Sequence, residues 1–477
     1  VPGRGSLVIG NLMTRLKMLA ALTVCAFVFH AVTSADAASA APAVAPSKPN
    51  ILFVLIDDMG YGDLSCFGGM RAKTPNIDKL ASEGVRFTQF YVNSPICSPS
   101  RVALTTGQYP NRWRITSYLA RRDEDAQRGI ADWLDPKAPT LARMLQQAGY
   151  HTAHVGKWHM GGQRDVIDAP AITSYGFDTS ITNFEGLGPR ILGKFEKLDH
   201  GPTAMSAKFA GEADVQWVER HKVSEKFVDR AIAEMDAADK AGKPFYINLW
   251  PDDVHSPMQA PPDQRGDGSP AAQYVGVLNE LDRQLGRAFD HIRSTEKLRD
   301  NTIILLCSDN GQEPGLGSSG GLRGAKGQLY EGGIRSPLIV WFPPRIASKG
   351  QTNDKTLLAA IDMAPSLLAI AGVSAPTDSK FDGLDMSDTL LGRGQPDRPA
   401  PVMWLRPPDR PGPQNKWPDL AIRDGRWKLL VDRDGSQPEL FDIAADPNES
   451  KNLAEAHREI VRELSGRVSA WDRETTK

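Results

Sequence analysis

Asn50-Ile51-Leu52-Phe53-Val54-Leu55-Ile56 carries an apolar side chain at every position after the first. A strand with one face in water would alternate. An unbroken apolar run of this length therefore predicts a strand covered on both faces, as in a parallel sheet. The pattern returns at Pro244 to Trp250 and Thr302 to Cys307, with a shorter strand at His151 to Val155. Helical stretches separate these runs at Thr74 to about Gly84, Ala138 to Gly149, Ser224 to Ala241 and Ala271 to Ile292. The last places Val275, Leu278, Leu281, Leu285 and Phe289 on one side. Strands alternating with helices make an α/β fold.

The residues that follow each run are polar, and open α/β sheets place their sites beyond the carboxyl ends of strands. The first run ends in Asp57-Asp58. Adjacent acids repel, so a cation between them explains the pair most readily, although a pair alone also suits a helix cap or a solvated loop. His151 to Val155 delivers Gly156-Lys157-Trp158-His159, where Lys157 and His159 point the same way if the backbone stays extended. Pro244 to Trp250 leads to Pro251-Asp252-Asp253-Val254-His255, in which Asp252 and Asp253 suit loop or supporting roles. Thr302 to Cys307 ends in Ser308-Asp309-Asn310-Gly311. Asp-Asn-Gly by itself is a turn signal, but here it also aims a carboxylate and an amide oxygen at the strand ends.

Between the first two of these runs lies Cys97-Ser98-Pro99-Ser100-Arg101, followed by Val102-Ala103-Leu104-Thr105-Thr106-Gly107. Pro99 suits the first turn of a helix and Gly107 its end. Cys97 would then sit at the helix mouth, where backbone N–H groups favour anions, with Arg101 one turn further in. Cys-x-Pro-x-Arg before a Thr-Gly pair resembles the signature of the type I sulfatases, within the alkaline phosphatase superfamily. The Gly-Lys-Trp-His block, His255 and Gly324-Ala325-Lys326-Gly327-Gln328-Leu329-Tyr330-Glu331-Gly332-Gly333-Ile334-Arg335 follow in that family's order. The resemblance runs from about Asn50 to the C-terminal tail. It implies a large mixed, mostly parallel sheet flanked by helices, with a small C-terminal antiparallel-sheet-plus-helix subdomain.

The resemblance also implies a chemistry. A maturation enzyme would oxidise Cys97 to formylglycine, an aldehyde hydrated in water. Asp57, Asp58, Asp309 and Asn310, with residue 97, would hold a divalent cation. Oxygen ligands suit Ca²⁺ or Mg²⁺ and not zinc, and the family implies Ca²⁺. Cys97, Arg101, Lys157, His159, His255 and Lys326 would be catalytic, with Lys157, His255 and Lys326 on the substrate. The reaction expected is sulfate ester hydrolysis. Two alternatives stay open: a phosphonate or phosphodiester hydrolase of the same superfamily, and an inactive Ca²⁺-dependent glycan-binding protein.

Met13 to Lys17 is a basic start, Met18 to Phe29 an apolar run, and Ala35-Asp36-Ala37 or Ala38-Ser39-Ala40 a cleavage site. Residues 1–40 thus read as upstream sequence and a secretory signal peptide, and 41–49 as an Ala/Pro linker. The protein is expected to be periplasmic or secreted, with no later segment long enough to span a bilayer. A formal net charge of −2 over 477 residues, without a long basic run, argues against a nucleic-acid partner. Past the signal only Cys66, Cys97 and Cys307 remain, too few for a disulfide framework. A catalytic domain is expected over 50–395 and a C-terminal subdomain over 396–477, where Leu420 to Val431 reads as a hairpin, Glu439 to Ile443 as a strand and Glu455 to Trp471 as a helix. Prolines dominate Gly392 to Pro418, which suggests a surface excursion or a subdomain boundary. Loops at 160–222, 312–323 and 396–418, carrying Arg164, Arg190, Lys194, Trp217, Arg406 and Trp417, are expected to read the alcohol. Cations beside aromatics suit a sulfated glycan, such as a galactose or N-acetylgalactosamine sulfate, over a small aryl sulfate.

Overall fold

The structure is a computed structural model. It describes residues 48–162, 165–183, 185–195, 214–377, 379–406 and 417–476. The expected signal peptide, the linker up to residue 47 and Arg164 lie outside the described residues.

The strands are β1 (Asn50–Ile56), β2 (Val85–Tyr91), β3 (His151–Gly156), β4 (Thr179–Ile181), β5 (Arg190–Lys194), β6 (Val215–Glu219), β7 (Phe245–Trp250), β8 (Thr302–Ser308), β9 (Arg335–Trp341), β10 (Gln351–Asn353), β11 (Leu358–Ala359), β12 (Val402–Leu405), β13 (Leu420–Asp424), β14 (Trp427–Val431) and β15 (Glu439–Asp442). Nine of them form one sheet, in the order β10-β2-β9-β8-β1-β7-β3-β4 with β11 also on β2. The pairs along β8-β1-β7-β3-β4 are parallel, and β9 runs antiparallel to both β8 and β2.

The apolar run of β1 explains its central place. Ile51, Phe53 and Leu55 enter one core, with Val102, Leu104, Leu141 and Leu145. Leu52, Val54 and Ile56 enter the other, with Phe227, Leu278, Leu281, Leu285 and Phe289. The Cys97–Thr106 and Leu141–Gln147 helices thus cover one face, and the Val223–Lys240 and Pro270–Ser294 helices the other. Each fully buried Leu, Ile or Phe contributes about 1.5–3 kcal/mol of hydrophobic stabilisation, so neither face can be left wet.

Register then fixes the site. Ile56 pairs with Ser308, so Asp57 and Asp309 leave adjacent strands side by side. Gly156 pairs with Trp250, which sets Lys157 beside Pro251. Gly156 has φ +118°, and a Cβ there would lie 2.2 Å from the Trp250 carbonyl oxygen, so glycine is required for this turn out of the sheet.

β12, β13, β14 and β15 form a separate antiparallel sheet against which the Arg458–Thr475 helix packs through Leu464, Val468 and Trp471. Trp471 meets Tyr109 edge-on at 4.9 Å, and Asn111 Nδ2 donates to Thr475 Oγ1 at 2.6 Å. The terminal helix is therefore pinned just beyond the Cys97–Thr106 helix. Lys48–Lys477 form one compact unit, with the small sheet as a part of it.

Some expectations need correction. The 160–222 segment is not only loop: it contributes β4 to the edge of the large sheet and a parallel pair, β5 and β6. Of the two readings of the proline-rich stretch, the surface excursion fails over Val402–Leu405: this is β12, the edge of the small sheet, whose Trp404 is wholly buried and donates Nε1–H to Val92 O at 2.7 Å. Strands of three to five residues are too short to show a period in sequence. Cys66, Cys97 and Cys307 are free thiols. No helix among the described residues is long and apolar enough to cross a membrane.

Candidate active site

Cys97 is the first residue of a helix that ends at Gly107, as Pro99 and the glycine dictate. The helix is buried along its whole length, and Cys97 is 2% exposed. One donor atom each from Asp57, Cys97 and Asp309 can be drawn within 4.8 Å of one another. Burial pushes the Cys97 thiol up, with Asp57 and Asp309 adding to it against Lys157 and Lys326.

Arg101 holds the acids together. Its Nε and Nη2 reach Asp309 Oδ2 at 3.1 and 2.8 Å, Nη2 also reaches Asp57 Oδ1 at 3.1 Å, and Nη1 donates to Lys157 O at 2.8 Å. The guanidinium stacks over Trp250 at 5.3 Å. Asp58, in the left-handed region at φ +57°, turns its carboxylate back toward Asn310, whose Nδ2 donates to it at 2.7 Å. Asp58 N–H meets Asp309 Oδ1 at 3.1 Å. The four residues expected to share a cation are therefore linked at the ends of β1 and β8, Asp57 to Asp309 through Arg101, Asp309 to Asp58 and Asp58 to Asn310.

Two lysines close the cluster. Lys157 Nζ lies 2.7 Å from Asp57 Oδ2, and Lys326 Nζ lies 2.6 Å from Asp58 Oδ2. The Lys326 loop is fixed to the approach to Cys97 by Gly327 N–H on Pro95 O at 2.8 Å. Burial raises Asp57's proton affinity, but Lys157 and Arg101 outweigh it and hold the carboxyl well below its ordinary value. Burial and the Asp57 charge push Asp309 up to about 8.

The cluster can accept a hard cation. Its donors are carboxylate and amide oxygens, and Asn310 Oδ1 is buried with no hydrogen-bond partner among the described residues. Asp57, Asp58, Asp309 and Asn310 could hold the ion. Three acids already face Arg101, Lys157 and Lys326, so a bound divalent ion would release the two lysines for an anionic substrate.

The histidines divide by depth. His255 stands at the mouth with a 29% exposed side chain, Nε2 3.7 Å from Asp58 Oδ2, beside Lys326 at 22%. Burial, with Lys157 and Lys326, lowers its proton affinity. His159 does not continue an extended strand: its φ is +54°, and its ring meets Glu185 and Leu119 while Lys157 meets Asp57. Its Nε2 lies 2.7 Å from Glu185 Oε2 and 3.3 Å from Leu119 O. Glu185 was not singled out by sequence, since a lone acid in a glycine-rich loop carries no pattern.

Asp252 and Asp253 stand outside the cluster. Asp252 Oδ1 accepts from Arg220 at 3.0 Å, and Asp253 accepts from Ser224. Of the residues expected to read the alcohol, Arg190 and Arg406 are buried, donating to the carbonyls of Gly186 and Gly327. Lys194 and Trp217 are exposed, and Trp417 packs edge-on to Tyr330 at 6.2 Å.

Comparison with known proteins gives this arrangement its family. Residues 49–373 match the sulfatase family, and residues 325–474 match a second family described as N-sulphoglucosamine sulphohydrolase, C-terminal. The chain is 30% identical to an N-acetylgalactosamine-6-O-sulfatase of Bacteroides thetaiotaomicron, covering 88% of this chain and 92% of that one. It is 31% identical to arylsulfatase A of Bos taurus, covering 89% and 87% respectively. A solved Bacteroides thetaiotaomicron structure, from work on the metabolism of multiple glycosaminoglycans, superposes with a TM-score of 0.72 at 27% identity, covering 90% of this chain and all of that one. The Ps i-CgsB structure in complex with k-i-k-neocarrahexaose has the same fold, at TM-score 0.73 and 24% identity over 89% of this chain and 93% of that one. Cys97, the strand-end acids and Lys326 all fall within the matched span of 49–373, and the chain belongs to the sulfatase family as a type I sulfatase.

Proposed function

We propose that this enzyme removes sulfate from a sulfated glycan, with N-acetylgalactosamine or galactose sulfate esters as the substrate class, using a hydrated formylglycine made from Cys97 by a maturation enzyme. The observation that carries the reading is the meeting of Cys97, Asp57 and Asp309 at the mouth of one helix, ringed by Arg101, Lys157 and Lys326. A sulfate ester resists attack because its own oxygens repel nucleophiles, so a nucleophile set among cations meets the difficulty directly. The sulfatases of known sugar specificity among its relatives support the glycan class.

Ca²⁺ held by Asp57, Asp58, Asp309 and Asn310 would offset negative charge on the nucleophile and the sulfate. Lys157 and Lys326 bind the sulfate oxygens, and Arg101 keeps Asp57 and Asp309 in register beside residue 97. One hydroxyl of the residue 97 hydrate gives its proton to Asp309 and attacks sulfur. The S–O bond to the substrate alcohol breaks, and His255 protonates the departing oxygen. Sulfate is left esterified to residue 97. The second hydroxyl then gives its proton to His159, and its electrons form C=O as the C–O bond to sulfate breaks, restoring the aldehyde. Export by the 1–40 segment belongs to the same reading, because sulfated polysaccharides are extracellular polymers.

Sulfate release from chondroitin, carrageenan, heparin and aryl sulfate panels tests it. Turnover of a sulfated galactosaminoglycan or galactan well above the aryl sulfates is expected. Efficient turnover of aryl sulfates alone would exclude the glycan assignment.

A further inference from the structure

His159 and Glu185 share a backbone conformation that side chains rarely adopt, at φ +54° and +62°. Left-handed residues of this kind cost about 1–3 kcal/mol each and persist where the surroundings impose them. These two face each other. Their side chains are 5% and 0% exposed, and His159 Nε2 stands 2.7 Å from Glu185 Oε2. The Leu119 carbonyl lies 3.3 Å from the same nitrogen, and Leu119 is itself held by Ser98 Oγ, which accepts its N–H at 3.0 Å. The hydrogen bond of Nε2 goes to the Leu119 carbonyl, which can only accept, while Glu185 Oε2 stands at ion-pair distance, so Nε2 carries the proton and the lone pair of the neutral ring is on Nδ1.

Glu185 is held in place by its own loop. Its carbonyl accepts from Thr182 Oγ1 at 2.9 Å. The next residue, Gly186, has φ +99°, and a Cβ there would lie 3.0 Å from Trp158 Cβ and 2.7 Å from Ile172 Cδ1. The loop is thus pressed against the residue that precedes His159. Among the described residues, His159 is the one ion-pair partner of Glu185. A buried carboxylate without a cation costs several kcal/mol, so this placement is paid for elsewhere or matched by a charge that forms on the ring. Burial first, then Lys157 and Arg101, hold the ring's proton affinity well below its ordinary value, with Asp57 acting the other way, so the resting ring is neutral.

We propose that Glu185 is a positioning residue for His159. Its carboxylate fixes the Nε2–H tautomer, leaves Nδ1 as the proton-accepting nitrogen, and stabilises the imidazolium formed when Nδ1 takes the proton of the second hydroxyl at residue 97. This rests on the proposed function for the catalytic role of His159, whereas the tautomer rests on the geometry alone.

Two measurements test it. In ¹⁵N spectra of histidine-labelled protein, His159 is expected with Nε2 protonated and Nδ1 bare, and Glu185→Leu, left with the Leu119 carbonyl alone, is expected to show a mixture of the two tautomers. Glu185→Gln keeps the shape without the charge, and its kcat should fall about 10–100-fold with KM within about twofold and an unchanged melting temperature. Glu185→Asp should recover part of the loss. A wild-type ring protonated on Nδ1, or unchanged kcat in Glu185→Gln, overturns the assignment. A wild-type protein that releases no sulfate overturns the proposed function and the catalytic half of this assignment, while the spectrum still decides the pairing.

Discussion

Arg101 sets two nitrogens on a single oxygen of Asp309, Nε at 3.1 Å and Nη2 at 2.8 Å, with both side chains wholly buried. The contact joins the helix that begins at Cys97 to the end of β8. A point charge could neutralise Asp309, but only a planar fork can also reach Asp57 and the Lys157 carbonyl.

Arg101→Lys is therefore expected to act as a severe substitution despite conserving charge. A misplacement of about 1 Å in such a site costs about 10²-fold in rate, so kcat/KM should fall by at least that much. Arg101→Met leaves two buried acids short of a partner and should lower stability by about 3–5 kcal/mol. Sulfate release and thermal unfolding check the two effects separately.

Asp57→Ala, Asp58→Ala and Asp309→Ala should each abolish calcium binding by titration calorimetry. A ligand bound only by the folded protein raises the unfolding temperature. Chelation should accordingly lower the melting temperature of the wild type and leave that of the three variants in place.

Lys428 is fully buried between Glu331 at 2.9 Å and Glu449 at 2.8 Å. Glu331 begins the turn that follows the Lys326 loop, while Lys428 belongs to β14 of the small sheet. Lys428→Met should cost about 3–5 kcal/mol by stranding Glu449, since Glu331 keeps Arg335 at 3.3 Å. Chemical denaturation checks the loss, and a raised KM would show that the small sheet helps hold Lys326.

Glu234 ties the Val223–Lys240 helix to β3, with Oε2 2.6 Å from His151 Nε2 and Oε1 2.6 Å from Arg230 Nε. Burial works against its charge, but the bonds from His151 and Thr179 and the Arg230 charge prevail and hold it down to about 2. A carboxyl depressed in the folded state adds stability that is complete above its unfolded value near 4.5 and is lost as pH falls toward 2. Glu234→Gln should be less stable than wild type by about 1–3 kcal/mol at pH 7. That gap should close between pH 4.5 and 2 in denaturation curves.

How much of this was legible in sequence follows from the physics of each part. β1, β7 and β8 are apolar on both faces, and the Cys97 helix has Pro99 and Gly107 at its ends, so composition alone located them. β12 hid among prolines because four residues show no period, although Trp404 buries its whole ring there. Lys157 and His159 could be named, but not their directions, because the extended backbone assumed between them gives way to a left-handed residue. Glu185 lies far from His159 in sequence, within a loop punctuated by Gly186, Gly188 and Pro189. The pairing of the two exists only once the loop is folded onto Trp158.

The central claim is that residue 97 acts as an aldehyde hydrate and not as a thiol. The mass of the tryptic peptide Phe87–Arg101, taken from protein that is releasing sulfate, tests it most directly. The account predicts that the thiol mass is lost and an aldehyde stands in its place. Full activity with an intact Cys97 thiol would contradict it.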